Sequence, residues 1–112
     1  MSPDDVIRLR HMAEAAEAAL RFCRGRSRAD VESDDMLRFA LTRAVEIIGE
    51  AANKVSAEAR AQMSGIAWPA IVGMRNRLVH AYFDIDLDIL WVTVCHDLPA
   101  LVTQLQVLRL PE

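Results

Sequence analysis

Leu37, Leu41, Ala44, Ile48, Ala51 and Val55 recur at intervals of four and three residues, and a spacing of that kind permits one local structure. Apolar residues four and three apart share a single face of an α-helix, whereas a half-buried strand would alternate at every second position. The chain must therefore cover one long helical stripe with others of its own kind. Composition points the same way, because hydrophobic residues are 53% of the chain while aromatics are only 5%. An interior built from Ala, Leu, Ile, Val and Met favours helices over sheets.

The other segments repeat the pattern. A first helix is expected with Ser2 as N-cap, Pro3 at the first helical position and Asp4 and Asp5 facing the helix dipole. It should run to about Cys23, bury Val6, Leu9, His11, Met12, Ala13, Ala16, Ala19, Leu20 and Cys23, and end at Gly25. Arg24-Gly25-Arg26-Ser27-Arg28 reads as a basic loop, solvated by default and the leading candidate for an extra phosphate contact. A second helix should extend from Ser33 to Val55 with Arg43, Glu46, Glu50 and Asn53 as its polar stripe. Gly49 at its centre costs roughly 1 kcal/mol relative to alanine, which implies close approach of a neighbouring element. Ser56 caps a short helix over 57–63. A fourth is expected over 68–83, and Asp84 to Asp88 mark the break and cap a last one, which carries Leu87, Leu90, Trp91, Val94, Cys95, Leu98, Leu101, Val102, Leu105 and Leu108 inward and is kinked by Pro99. The fold expected is all-α: a single domain over 1–112, an up-and-down bundle of four long helices plus a short one.

The fourth helix holds the unusual residues. On a regular helix Trp68, Ile71, Val72, Leu78, Val79 and Tyr82 lie within roughly 60° of Arg75. Arg75 then sits within an apolar stripe, and a guanidinium there implies a carboxylate, a second chain or an anionic ligand. Glu50 is the leading intrachain carboxylate. Gly73, Asn76, Arg77 and His80 fall on the other side, with His80 about 140° from Arg75.

These residue types suit a particular chemistry. Cleavage of RNA by its own 2′-hydroxyl needs in-line geometry, a group that moves a proton near pH 7 and a cation for the crowded phosphate. His80 suits the role of general base or acid and Arg75 that of phosphate stabiliser. Asn76 could fix the imidazole tautomer or bind the phosphate. The angle between Arg75 and His80 leaves two resolutions open: a bend near the motif, or a composite site in which two chains pair their motif helices. His11, His80 and His96 are scattered, and Cys23 and Cys95 lack ligand spacing, so no metal or other cofactor is expected. The two thiols are expected to be buried. The net charge of −3 excludes binding of nucleic acid through bulk positive charge, so any RNA contact must be local. No apolar run reaches the roughly 20 residues that span a bilayer, and the acidic start is wrong for a targeting peptide, so a cytoplasmic protein with no membrane contact is expected.

Arg75-Asn76-x-x-x-His80-x-Tyr82 resembles the R-x4-H-x-Y signature of HepT-type toxins of the HEPN superfamily. Ile48-Gly49-Glu50-Ala51-Ala52, Trp68 and Asp97-Leu98-Pro99 flank it at matching places. The resemblance implies a homodimeric endoribonuclease toxin acting on an RNA such as a tRNA or an mRNA. It also implies a partner, an MNT-type nucleotidyltransferase antitoxin that transfers AMP from ATP to Tyr82, ATP serving only as that donor. From the residues alone Tyr82 could equally pack its ring and hydrogen-bond its hydroxyl. The rival expectation is a non-catalytic helical subunit that binds the nucleotidyltransferase.

Overall fold

The computed structural model describes the backbone of residues 1–81 and 84–107 and the side chains of residues 1–78 and 84–106. Its first helix, α1 (Pro3–Cys23), begins as expected: the Ser2 hydroxyl accepts the Asp5 backbone N–H at 3.1 Å. Gly25, with φ at +72°, supplies the left-handed residue that ends the run. The expected basic loop is only partly a loop. Ser27 caps a short helix α2 (Arg28–Ser33), and the Asp30 carboxylate accepts the Ser27 backbone N–H in return.

Asp34 then breaks the chain and caps α3 (Asp35–Asn53), its carboxylate accepting the Leu37 N–H. The stripe read from the sequence is buried along its length, from Leu37 to Val55. Small residues Ala15, Ala16 and Ala19 of α1 are buried, as are Ala44, Ala51 and Ala52 of α3, which lets the two helices pack closely. His11, by contrast, is exposed, on the edge of the α1 stripe and not within it. Helix α4 (Ala57–Gln62) starts at Ser56, whose hydroxyl accepts the Ala59 N–H.

Two sets of contacts fix this half of the molecule, the first of them long-range. The buried Asp5 carboxylate accepts the Ser56 backbone N–H at 2.8 Å and the Ser56 hydroxyl at 2.7 Å, tying the start of α1 to the start of α4. These bonds hold its pKa below the usual carboxylate value. The Arg60 guanidinium donates to the carbonyls of Val55 and Ala52, satisfying the last turn of α3, and lies 5.5 Å from the ring centre of Trp68.

The expected helix over 68–83 is replaced by α5 (Trp68–Val72), α6 (Met74–Leu78) and a hairpin of β1 (Val79–Ala81) with β2 (Asp84–Ile85), antiparallel and irregular in register. The Asn76 N–H bonds to the Gly73 carbonyl, a tight three-residue turn, and the buried set becomes Trp68, Ile71, Met74 and Leu78 at spacings of three, three and four. That tightening turns Met74 inward and leaves Arg75 exposed, so Arg75 is not an apolar-stripe residue.

The chain leaves the hairpin through Asp86, which caps α7 (Leu87–Val92). A π-helical stretch over Thr93–Asp97 joins it to α8 (Leu98–Val107), so the disturbance expected from Pro99 takes the form of a wide turn just before it. Leu90, Val94, Leu98, Leu101 and Leu105 point inward, but Cys95 is exposed and Cys23 only half-buried, so the two thiols are not the buried pair expected. The all-α bundle thus stands on three long rods among the described residues: α1, α3 and the α7–α8 run. The fourth rod expected from the sequence is the broken segment that carries the motif.

Candidate active site groove

Gly49 explains where the motif sits. A β-carbon there would lie 3.3 Å from the Val72 carbonyl oxygen and 3.6 Å from that of Ile71, so α5 rests directly on the α3 backbone. This is the close approach that a glycine in mid-helix implied. Trp68, buried, anchors the start of α5 by donating its indole N–H to the Met63 carbonyl at 3.2 Å.

Between α3 and the α5–α6 turn lies an open groove of ≈ 380 Å³, lined by Glu46, Gly49, Glu50, Asn53, Val72, Arg75 and Asn76. Three of the residues singled out in the sequence, Arg75, Asn76 and Glu50, therefore converge. The His80 imidazole and the whole of Tyr82 lie outside the described residues. The backbone of His80 belongs to β1, so the angle of about 140° between Arg75 and His80 on a regular helix does not apply.

Glu50 does not neutralise Arg75. Its carboxylate stands 3.4 Å from the Arg43 guanidinium, which also reaches Glu46 at 3.5 Å, and all three groups are at least partly exposed. Arg75 has no ion pair or hydrogen bond among the described residues. An exposed guanidinium with open donors is the state required to meet a phosphate. Asn76 beside it adds an amide that donates and accepts. Arg77 is directed elsewhere, donating to the Ala70 carbonyl at 3.0 Å.

Other candidates resolve differently. Arg26 pairs with Asp30 and Asp34, and Arg28 with Glu32 and Asp88, so two arginines of the expected basic loop are already committed. The Asp34 and Asp30 carboxylates are held below their usual pKa, Asp34 mainly by Arg26 and Asp30 mainly by the Ser27 N–H. Burial pushes the Cys23 thiol up to about 11, with Cys95 adding to the shift, which makes it a poor nucleophile. Among the described residues there is no group of three or more His, Cys, Asp or Glu side chains arranged to hold a metal ion. No helix among them is long and apolar enough to cross a membrane.

A family model described as ribonuclease HepT-like matches residues 12–108. A protein of Thermococcus cleftensis named "Probable ribonuclease HepT" is 38% identical over 101 residues, covering 90% of this chain and 92% of its own. Two proteins whose names propose an RNase show similar agreement. One, from Caldanaerobacter subterraneus subsp. tengcongensis, is 35% identical over 88% of either chain. The other, from Methanocaldococcus jannaschii, is 33% identical over 84% of this chain and 86% of its own. No solved structure matches.

Proposed function

This chain belongs to the HepT-like ribonuclease family, and from that premise we propose that it is a metal-independent endoribonuclease, the toxin of a toxin–antitoxin pair. The observation that carries the reading is the Arg75 guanidinium, exposed and unpaired among the described residues at the mouth of the α3–α6 groove. There it would neutralise the pentacoordinate phosphate formed as the 2′-hydroxyl attacks. Asn76 would hold a non-bridging phosphate oxygen or the His80 ring. His80 would take the 2′-hydroxyl proton or protonate the leaving 5′-oxygen. No cofactor enters these steps. Glu50 would hold Arg43 beside the groove.

The finer parts of the reading are a homodimer with a composite site, neutralised when an MNT-type nucleotidyltransferase places AMP on Tyr82. The break at Gly73 removes the helical-wheel argument that two chains are required. Support for a dimer comes instead from the openness of the groove and from exposed Phe22, Met36 and Phe39 on α1 and α3, apolar surface that a second copy would cover. Adenylylation of Tyr82 would set phosphate charge two residues from His80 and exclude RNA. The acidic residues of the groove, Glu46 and Glu50, favour the second reading, a non-catalytic subunit of the same pair.

Purified protein incubated with total RNA, beside Arg75→Ala and His80→Ala controls, tests the enzyme. The expected products carry 2′,3′-cyclic phosphate ends, form in the presence of EDTA and are absent with either variant. Cleavage that persists in both variants, or none by the native chain, defeats the assignment.

A further inference from the structure

A second groove lies on the far side of Glu50. It has a volume of ≈ 170 Å³ and runs between α1 and α3, lined by Arg8 and His11 from the first and Arg43, Ile47, Glu50 and Lys54 from the second. Three permanent cations and an imidazole thus face one carboxylate, in a chain whose net charge is −3. Arg8, His11 and Lys54 have no ion pair or hydrogen bond from their side chains among the described residues. Among the described residues Arg43 is held only by exposed contacts of 3.4 to 3.5 Å to Glu50 and Glu46, which contribute little and exchange readily for a phosphate. Arg8 and Lys54 are thus positive charges without a partner among the described residues that the proposed cleavage chemistry does not use.

Because Glu50 lines both grooves, the two flank α3 over the same stretch and meet at that residue. From Arg43 to Lys54 the helix rises about 16 Å, room for several phosphates of a nucleic-acid strand. We propose that Arg8, Arg43 and Lys54 bind the backbone phosphates of single-stranded RNA flanking the scissile bond, so that substrate runs from the Arg75 groove across Glu50 into the α1–α3 groove. Single strands are the favoured form because in-line attack needs a backbone free to rotate, which a duplex lacks. The proposal rests on RNA being the substrate, and it moves the auxiliary phosphate contact from the ion-paired Arg26 and Arg28 to this face. His11 lies beside the track, and Glu50 separates its two halves, repelling phosphate locally and setting the register of the strand.

The test is fluorescence anisotropy with a 2′-O-methyl oligonucleotide, which cannot be cleaved, titrated at several salt concentrations against the native chain and an Arg8→Gln/Lys54→Gln variant. Two lost phosphate contacts should weaken binding at low salt by tenfold or more and reduce the slope of log affinity against log salt by about 1.4. Cleavage of a dinucleotide, too short to reach the second groove, should be unchanged in that variant. Unchanged affinity and slope overturn the proposal. So does a shift in self-association by sedimentation with no shift in oligonucleotide affinity, which would make the groove a protein surface. If the native chain cuts no RNA while oligonucleotide binding still depends on Arg8 and Lys54, the enzyme reading fails and the groove assignment stands.

Discussion

Replacement of Gly49 separates the helix it interrupts from the seam it permits. In an isolated helix Gly→Ala would stabilise by roughly 1 kcal/mol. Here the new methyl would meet the Val72 carbonyl oxygen at 3.3 Å and that of Ile71 at 3.6 Å, so α5 must withdraw by a few tenths of an ångström. Those two effects oppose, and Gly49→Ala should change stability by less than about 1 kcal/mol in either direction. Gly49→Leu has no such compromise. Its extra carbons point at backbone, and separating α5 from α3 would expose Ile71 and loosen Trp68, both now buried. Overpacking of this kind costs about 1 to 3 kcal/mol, a fall in melting temperature of roughly 5 to 20 °C for a domain of this size. Urea unfolding followed by circular dichroism measures the first quantity for both variants. Ribonuclease rate, taken where Gly49→Leu is still fully folded, measures the second: displacement of Arg75 should lower it by at least tenfold. A Gly49→Leu protein with native stability and rate, or a Gly49→Ala protein stabilised by the full helix-propensity increment, would refute the close α3–α5 seam.

The remaining predictions concern contacts that hold the site in place. Arg60→Met removes the guanidinium that lies over Trp68 together with its two donors to the carbonyls of Ala52 and Val55, and thermal melts should show a loss of about 1 to 3 kcal/mol. The folded pKa of Asp5 lies below its unfolded value, so its contribution is fully present above about pH 4 and is lost as pH falls through the folded value. Asp5→Asn should therefore be less stable than the native chain at pH 7, and the gap should close in acid; a gap that persists unchanged at low pH would point to packing alone. At pH 8 Cys23, its thiol pushed up to about 11, should react with iodoacetamide more slowly than a free thiol by a factor of a hundred or more, as mass spectrometry of the alkylated peptides would show. Arg75→Lys keeps the charge but loses the planar fork, and should retain less than a tenth of the native cleavage rate.

Most of the helical frame is legible in the sequence because its determinants are local. Ser2, Ser56 and Asp86 each accept a backbone N–H three residues on, and each is recognisable as a helix start. The α3 stripe needs no knowledge of its partners, since a period of 3.6 residues is a property of the helix itself. The motif block and its flanking residues point to the family and to Arg75, Asn76 and Glu50, which the fold gathers on one groove.

The tertiary structure decided what these residues do there. A helix from 68 to 83 satisfies the hydrophobic pattern approximately, but five-residue turns have little stability of their own, and packing on α3 sets their phase. That choice buries Met74, exposes Arg75 and carries the His80 backbone into a strand. Ion pairing was partly hidden: Arg26–Asp30 and Arg28–Glu32 are four residues apart, but Arg43 holding Glu50, Arg26 reaching Asp34 and Arg28 reaching Asp88, 60 residues away, do not follow from that spacing. By its position in the sequence Asp5 serves only its own helix dipole, yet it bonds to Ser56, 51 residues away. Periodicity and caps read interactions over three or four residues. Which charge meets which carboxylate, and which guanidinium is left for a phosphate, depends on helices brought together from distant parts of the chain.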